Sequence, residues 1–205
     1  MRVLPASPES IQAALAALAQ GETVIHATET CYGFACDLSN PKAVARLFAI
    51  KQRQSDQPVS ALFPSVEEAK KYVEWNDRAE KLAKEFLPGP LTIILLLRSN
   101  VPLRIYSQPF VAESRDSPLR RATLGIRISS NALATELARK FARPISTTSA
   151  NIHGKPSPYS VAEILEQYKD APEKPDLILD SGSLPLCKPS RIIDCTGFSE
   201  TILRA

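Results

Sequence analysis

Apolar and polar positions alternate along this chain with two different periods. Ile11, Ala14, Leu15 and Leu18 fall on one face of a helix that Ser7 can cap, Pro8 can open and Gly21 should stop. Thr23–Ala27 then reads as a strand. Asn40-Pro41 opens a second helix, in which Val44, Leu47 and Phe48 recur at helical spacing and Lys51 lies near the end. Val59–Phe63 predicts a short buried strand. Ser65–Trp75 and Asp77–Phe86 predict two further helices, the second ended by Pro88-Gly89-Pro90.

The second half continues the alternation. Thr92–Leu97 is the clearest core strand, Leu124–Ile128 another, and Ser130 is placed to cap a helix reaching Phe141. Between them Val101–Arg121 is irregular, polar and rich in arginine, the pattern of a loop or flap. Pro144–Thr147 predicts a strand. Ser160 and Glu163 make a capping box before Ile164 and Leu165. Leu177–Leu179, Ile192–Cys195 and Thr201–Arg204 complete the strands. Strands and helices interleave throughout, which predicts an α/β fold with a mixed sheet partly covered by helices. At 205 residues the expectation is one domain over 1–205.

Composition narrows the classes. Hydrophobic residues make up 44% and charged residues 23%, as in globular proteins rather than disordered ones. The formal charge of +3 leaves nucleic-acid binding open. Cys31, Cys36, Cys187 and Cys195 form neither a CxxC pair nor a disulfide framework, so the expected setting is a reducing cytoplasm. The strongest apolar run, Ile93–Leu97, is far short of the about 20 residues a membrane helix needs. With 7 glycines against 17 prolines, no GxxxxGK[ST] or GxGxxG loop exists, so any nucleotide must be held another way.

Three polar segments lie where elements end, the position at which α/β domains bind ligands. Thr28-Glu29-Thr30-Cys31-Tyr32-Gly33 follows a strand and suits either a ligand or an ordinary turn. Lys51-Gln52-Arg53 ends a helix, where two cations serve either a phosphate chain or the helix C-terminus. Ser146-Thr147-Thr148-Ser149-Ala150-Asn151 places five hydroxyl or amide side chains in six residues, a phosphate or ribose cradle without glycines or else a polar turn.

Together these segments resemble the YrdC-like family of threonylcarbamoyl-AMP synthases. Ala27–Gly33 is similar to the family's P-T-E-T-x-Y-G, Lys51-Gln52-Arg53 to its K-x-R and Ser149-Ala150-Asn151 to its S-x-N. Pro88–Thr92, Thr123–Arg127, Pro189–Asp194 and Ile202–Arg204 resemble its P-G-P-x-T, T-x-G-x-R, x-S-T-I-x-D and I-x-R segments. The likeness spans residues 22–204. It departs at Ala27 and Ser129, where the family has proline, at Gln57 for asparagine, at Leu62 for histidine and at Arg191 for threonine.

The resemblance implies a twisted mixed sheet with flanking helices and a large concave cavity. It implies an enzyme, a nucleotidyltransferase that joins L-threonine, bicarbonate and ATP into threonylcarbamoyl-AMP and pyrophosphate. The product would serve N6-threonylcarbamoyladenosine formation in tRNA, through a tRNA-modifying transferase complex. Lys51 and Arg53 are the implied catalytic residues. Arg53, Gln57, Thr123, Ser149, Asn151, Ser157 and Arg204 would contact ATP, with Mg²⁺ accompanying it. Thr30, Arg127, Thr147 and Ser190 would hold L-threonine, and Glu29 would be structural. No metal site of the chain's own and no membrane are expected. Alternatives are an RNA-binding module of the same fold, taking tRNA or double-stranded RNA, and a paralogue with another carbamoyl or acyl substrate. A cysteine hydrolase built on Cys31 and His153 is a third.

Overall fold

The computed structural model describes residues 1–53, 59–101, 112–113, 122–197 and 199–205. In chain order these form β1 (Arg2–Pro5), α1 (Pro8–Ala19), β2 (Val24–Ala27), β3 (Tyr32–Ala35), α2 (Pro41–Lys51), β4 (Ser60–Leu62), α3 (Val66–Lys70), α4 (Asp77–Phe86) and β5 (Leu91–Leu96). They continue with β6 (Ala112–Glu113), β7 (Ala122–Arg127), α5 (Ala132–Phe141), β8 (Ile145–Ser149), α6 (Val161–Tyr168), β9 (Leu177–Asp180), β10 (Arg191–Asp194) and β11 (Thr201–Arg204).

Side-chain caps set the helix starts. Ser7 accepts from the Ser10 amide, Asn40 from those of Lys42 and Ala43, and Asn76 from that of Ala79. Asn131, not Ser130, caps α5, because its amide oxygen reaches the N–H groups of both Leu133 and Ala134. At α6, Ser160 accepts from the Glu163 amide, and the Glu163 carboxylate returns to the amide of Tyr159, one residue earlier than in a standard capping box. The helix expected over Ser65–Trp75 stops at Lys70. Beyond it the backbone is taken by the end of β5: the Glu74 amide bonds the Leu96 carbonyl at 2.8 Å and the Arg98 amide that of Tyr72 at 3.0 Å. The segment expected as a flap contains β6, which pairs with β7; Val101 and β6 apart, it lies outside the described residues.

One sheet orders its strands β1-β9-β2-β3-β8-β4-β7-β5-β10-β11, mixing parallel and antiparallel pairs. Its two faces differ. On one, Ile25, Phe34, Ala61, Ile93, Leu124 and Ile126 pack with α2, α3, α4 and α6 in the larger core. On the other, Val24, Ala35, Leu62, Ile145, Leu177 and Leu179 pack beneath α1 and α5. Those two helices cover only part of that face. Further along the strands, the same side presents Gly33, Ser149, Thr147, Ser60, Arg127 and Thr92, and there the face is open. The cavity is therefore the uncovered remainder of a sheet face whose other part is core.

A cavity of arginines and hydroxyls

The open face holds a cavity of about 220 Å³. Of the candidates, Thr30, Arg53, Arg127, Thr147, Ser149, Ser157, Ser190 and Arg204 line it, and Cys31 does so as well. The floor is open for a stereochemical reason. A Cβ on Gly125 would stand 2.6 Å from Ser60 Oγ, and one on Gly33 would stand 3.0 Å from Thr28 Cγ2.

At one end sits Arg127, at the end of β7 and 5% exposed. Its Nη2 donates to Glu29 Oε1 at 2.6 Å and to Thr30 Oγ1 at 3.2 Å. The second oxygen of Glu29 accepts from the Ser129 hydroxyl. Thr28 shapes the turn that brings Glu29 and Thr30 here: its hydroxyl donates to the Cys31 carbonyl and accepts from the amides of Thr30 and Cys31. Arg127 Nε and His26 Nε2 are buried without a hydrogen-bond partner among the described residues. Burial holds His26 below its ordinary pKa.

Across the cavity, Arg204 on β11 donates through Nε to the Ser190 carbonyl and through Nη2 to the Ser190 hydroxyl, both at 2.7 Å. Burial lowers its pKa, and proximity to Arg127 lowers it further, so the two guanidiniums share one field. Arg53 completes the set. α2 ends with Gln52 in the left-handed region at φ 51°, which turns the chain and separates the directions of Lys51 and Arg53. Arg53 faces the cavity with its guanidinium 5.9 Å from the Phe48 ring centroid, and burial lowers its pKa.

Lys51 does not line the cavity. It is 3% exposed, and its Nζ donates to the backbone carbonyls of Ser149 and Asn151. Asn151 is likewise turned inward. Its Oδ1 accepts from the Ser149 hydroxyl, and its Nδ2 donates to the carbonyls of Ile152 and Lys155. The K-x-R and S-x-N segments thus meet: the lysine of one braces the loop of the other, and Ser149 and Arg53 are what they present. Burial, then the charge of Arg53, pushes the Lys51 pKa down to about 7. Thr123 is buried on β7 and does not line the cavity. Gln57 lies outside the described residues.

Several lining residues carry little or no signal in the sequence. Ser60 gave no signal beyond strand periodicity, Thr92 closes the Pro88–Thr92 segment but was assigned no contact, and Tyr159 and Cys187 sit on segments without a motif. The departures fall mostly off the cavity. Leu62 is buried under α5 beside Arg127 in register, and Arg191 points to the other face, its guanidinium 5.1 Å from the Phe86 ring centroid. Ser129 does not line the cavity either, but it bonds Glu29, the partner of Arg127. Cys31 lines the cavity, but burial raises its thiol pKa, and His153 is exposed and does not line it. A protonated thiol without a base is a poor nucleophile, which argues against the hydrolase alternative.

Chemically the site is a receptor for anions: three guanidiniums, a wall of hydroxyls, and Glu29 as the carboxylate hydrogen-bonded to one of them. Among the described residues no group of three His, Cys, Asp or Glu could hold a metal ion, and no helix is long and apolar enough to cross a membrane.

Known proteins share this arrangement of chain. The Sua5/YciO/YrdC family model, described as telomere recombination, matches residues 16–205. A relative from Methanocaldococcus jannaschii is 38% identical over 173 residues, covering 84% of this chain and 74% of that protein. The threonylcarbamoyl-AMP synthase of Pyrococcus abyssi is 33% identical over 195 residues, covering 95% of this chain; the chain spans about half of that protein, 53%. Among solved structures, P. abyssi Sua5 complexed with L-threonine superposes with a TM-score of 0.82 at 31% identity, over 99% of this chain and 56% of that one. E. coli YciO gives 0.79 at 25% identity, over 99% and 93%.

Proposed function

Because this chain belongs to the Sua5/YciO/YrdC family, we propose that it is a threonylcarbamoyl-AMP synthase, a nucleotidyltransferase using L-threonine, bicarbonate and ATP. The observation that carries the reading is the convergence of Arg53, Arg127 and Arg204 on one hydroxyl-lined cavity. The reaction must bring together a carboxylate, a carbamate and a triphosphate, and uncompensated anions repel without such a cluster.

Arg127 takes the threonine carboxylate, with Thr30 and Ser190 beside it. Thr147 lines the same wall. Arg53 and Arg204 neutralise the phosphates, and Ser149 and Ser157 supply hydroxyl contacts to the nucleotide. Lys51 and Asn151 serve ATP indirectly, by fixing the Ser149 loop. The threonine amine and bicarbonate condense to a carbamate with loss of water. A carbamate oxygen attacks the α-phosphorus, and pyrophosphate leaves. The cavity's part is alignment and charge stabilisation rather than proton transfer. Glu29 is committed to Arg127 and Ser129, and no group of three His, Cys, Asp or Glu among the described residues could hold a metal, which supports a magnesium ion that enters with the phosphates of ATP.

The product is a reactive mixed anhydride, and a tRNA-modifying transferase complex is the acceptor this chemistry calls for. Direct contact with tRNA or double-stranded RNA fits a cavity lined by three arginines, and a cytoplasmic setting fits the free cysteines.

Pyrophosphate release tests the reading. It should require both threonine and bicarbonate, be lost in Arg53→Ala, and proceed with serine only at a rate about 10–100-fold lower in kcat/KM, the worth of one methyl group. Release independent of threonine would overturn the reading and turn attention to another substrate for the same cavity.

A further inference from the structure

We infer that Ser129 is a positioning residue for the amino-acid end of the cavity, acting through Glu29 on Arg127. The inference rests on the reading above that Arg127 receives the threonine carboxylate.

Ser129 sits two residues beyond Arg127, between β7 and α5, and is 1% exposed. Its hydroxyl is used twice. It donates to Glu29 Oε2 and accepts from the Asn131 amide at 3.1 Å. Its carbonyl accepts from the Thr135 hydroxyl at 2.9 Å, which ties the residue to the first turn of α5. Glu29 in turn holds Arg127 by its other oxygen at 2.6 Å, with only 7% of the arginine side chain and 14% of the glutamate side chain exposed. The chain of contacts therefore runs from a rigid helix start through a hydroxyl and a carboxylate to the guanidinium.

Glu29 lies on a turn between two strands and has its two oxygens bonded from two different elements. Without the Ser129 hydroxyl, Oε2 keeps only the geometry its own side chain allows, and the carboxylate can rotate about its last bonds. Arg127 then loses its fixed partner on the one edge that Glu29 and Thr30 define, while its Nε already lacks one among the described residues. A proline at this position, as in the family pattern, has no hydroxyl to do this. The contact is a feature of this chain, and it lies at the end of the cavity where threonine binds rather than where the phosphates bind.

The test is steady-state pyrophosphate release by the full chain, with Ser129→Ala, the volume-conserving Ser129→Cys, and Ser129→Thr. Ser129→Ala and Ser129→Cys are expected to raise the threonine KM about tenfold, the order expected for a charge-assisted hydrogen bond, with kcat falling less than KM rises and the ATP KM within about twofold. Ser129→Thr, which restores the hydroxyl, should recover most of the threonine KM. A threonine KM that is unchanged or lowered, or threonine and ATP KM values that rise together, overturns the inference. The wild-type enzyme separates this from the underlying reading: threonine-dependent release with an unaltered Ser129→Ala KM sinks the positioning role alone, while release that ignores threonine sinks both.

Discussion

At the scale of single residues, the most consequential group is the buried amine of Lys51. Its pKa is pushed down to about 7, chiefly by burial and then by Arg53, against about 10.4 for an unfolded lysine. Between these values the unfolded chain binds more protons than the folded one. Stability from this group therefore rises with pH from about 7 to about 10, and the cost of burying the charge is present in full below 7. Urea midpoints measured at pH 7, 8.5 and 9.5 should show this slope in the wild type and lose it in Lys51→Met. A slope unchanged by the substitution would assign it to other groups. Two backbone carbonyls can accept from the amine in either protonation state, so the loop of Ser149 stays braced throughout. The sequence showed Lys51 and Asn151 as motif residues. It could not show that they face one another's backbone rather than the cavity, because that depends on a left-handed turn at Gln52 and on a loop 98 residues away.

At the scale of elements, the strands decide what the cavity is. Side-chain alternation on β3, β4, β5, β7 and β8 sends one set of residues to the larger core and the other to a face that is half core and half cavity. Glycine on β7 is a requirement of that arrangement. Gly125→Ala would place a Cβ 2.6 Å from Ser60 Oγ, 3.2 Å from Ser60 Cβ and 3.3 Å from Thr92 Cγ2. The expected outcome is a loss of about 1–3 kcal/mol in stability from overpacking, together with a raised KM for substrate, read by urea melts and by pyrophosphate release. A variant of wild-type stability would mean that Ser60 rotates away at little cost. Core strands and capped helices were legible because their signals are local. β3 was not, since Tyr32–Ala35 is buried along its whole length and shows no alternation. The helix predicted over Ser65–Trp75 was cut short because β5 captured its last turns, a competition invisible to a periodicity argument.

At the scale of the whole molecule, two layers of helices divide the labour. The layer of α2, α3, α4 and α6 closes one face with the larger core. The layer of α1 and α5 closes part of the other, and by stopping short leaves the open face on which Arg53, Arg127 and Arg204 converge. Leu137→Ala in that second layer should cost about 2–5 kcal/mol of stability, as large-to-small core changes do, while the residual folded enzyme keeps its KM for ATP. A shifted ATP KM at full folding would mean that the layer also shapes the phosphate end.

The sequence by itself determined the alternation of strands and helices, most of the caps, and the identity of the motifs, because periodicity, capping and turn chemistry act over a few residues. It also carried the resemblance to a family, since seven short segments in order leave few other readings. Only the tertiary structure decided which of those residues share a cavity. The partners are distant in the chain: Arg127 with Glu29, Arg204 with Ser190, Lys51 with the carbonyls of Ser149 and Asn151, and Ser129 with Glu29. Such pairings follow from strand order and register in a mixed sheet. Those are fixed by burial of the sheet faces, a property of the folded whole.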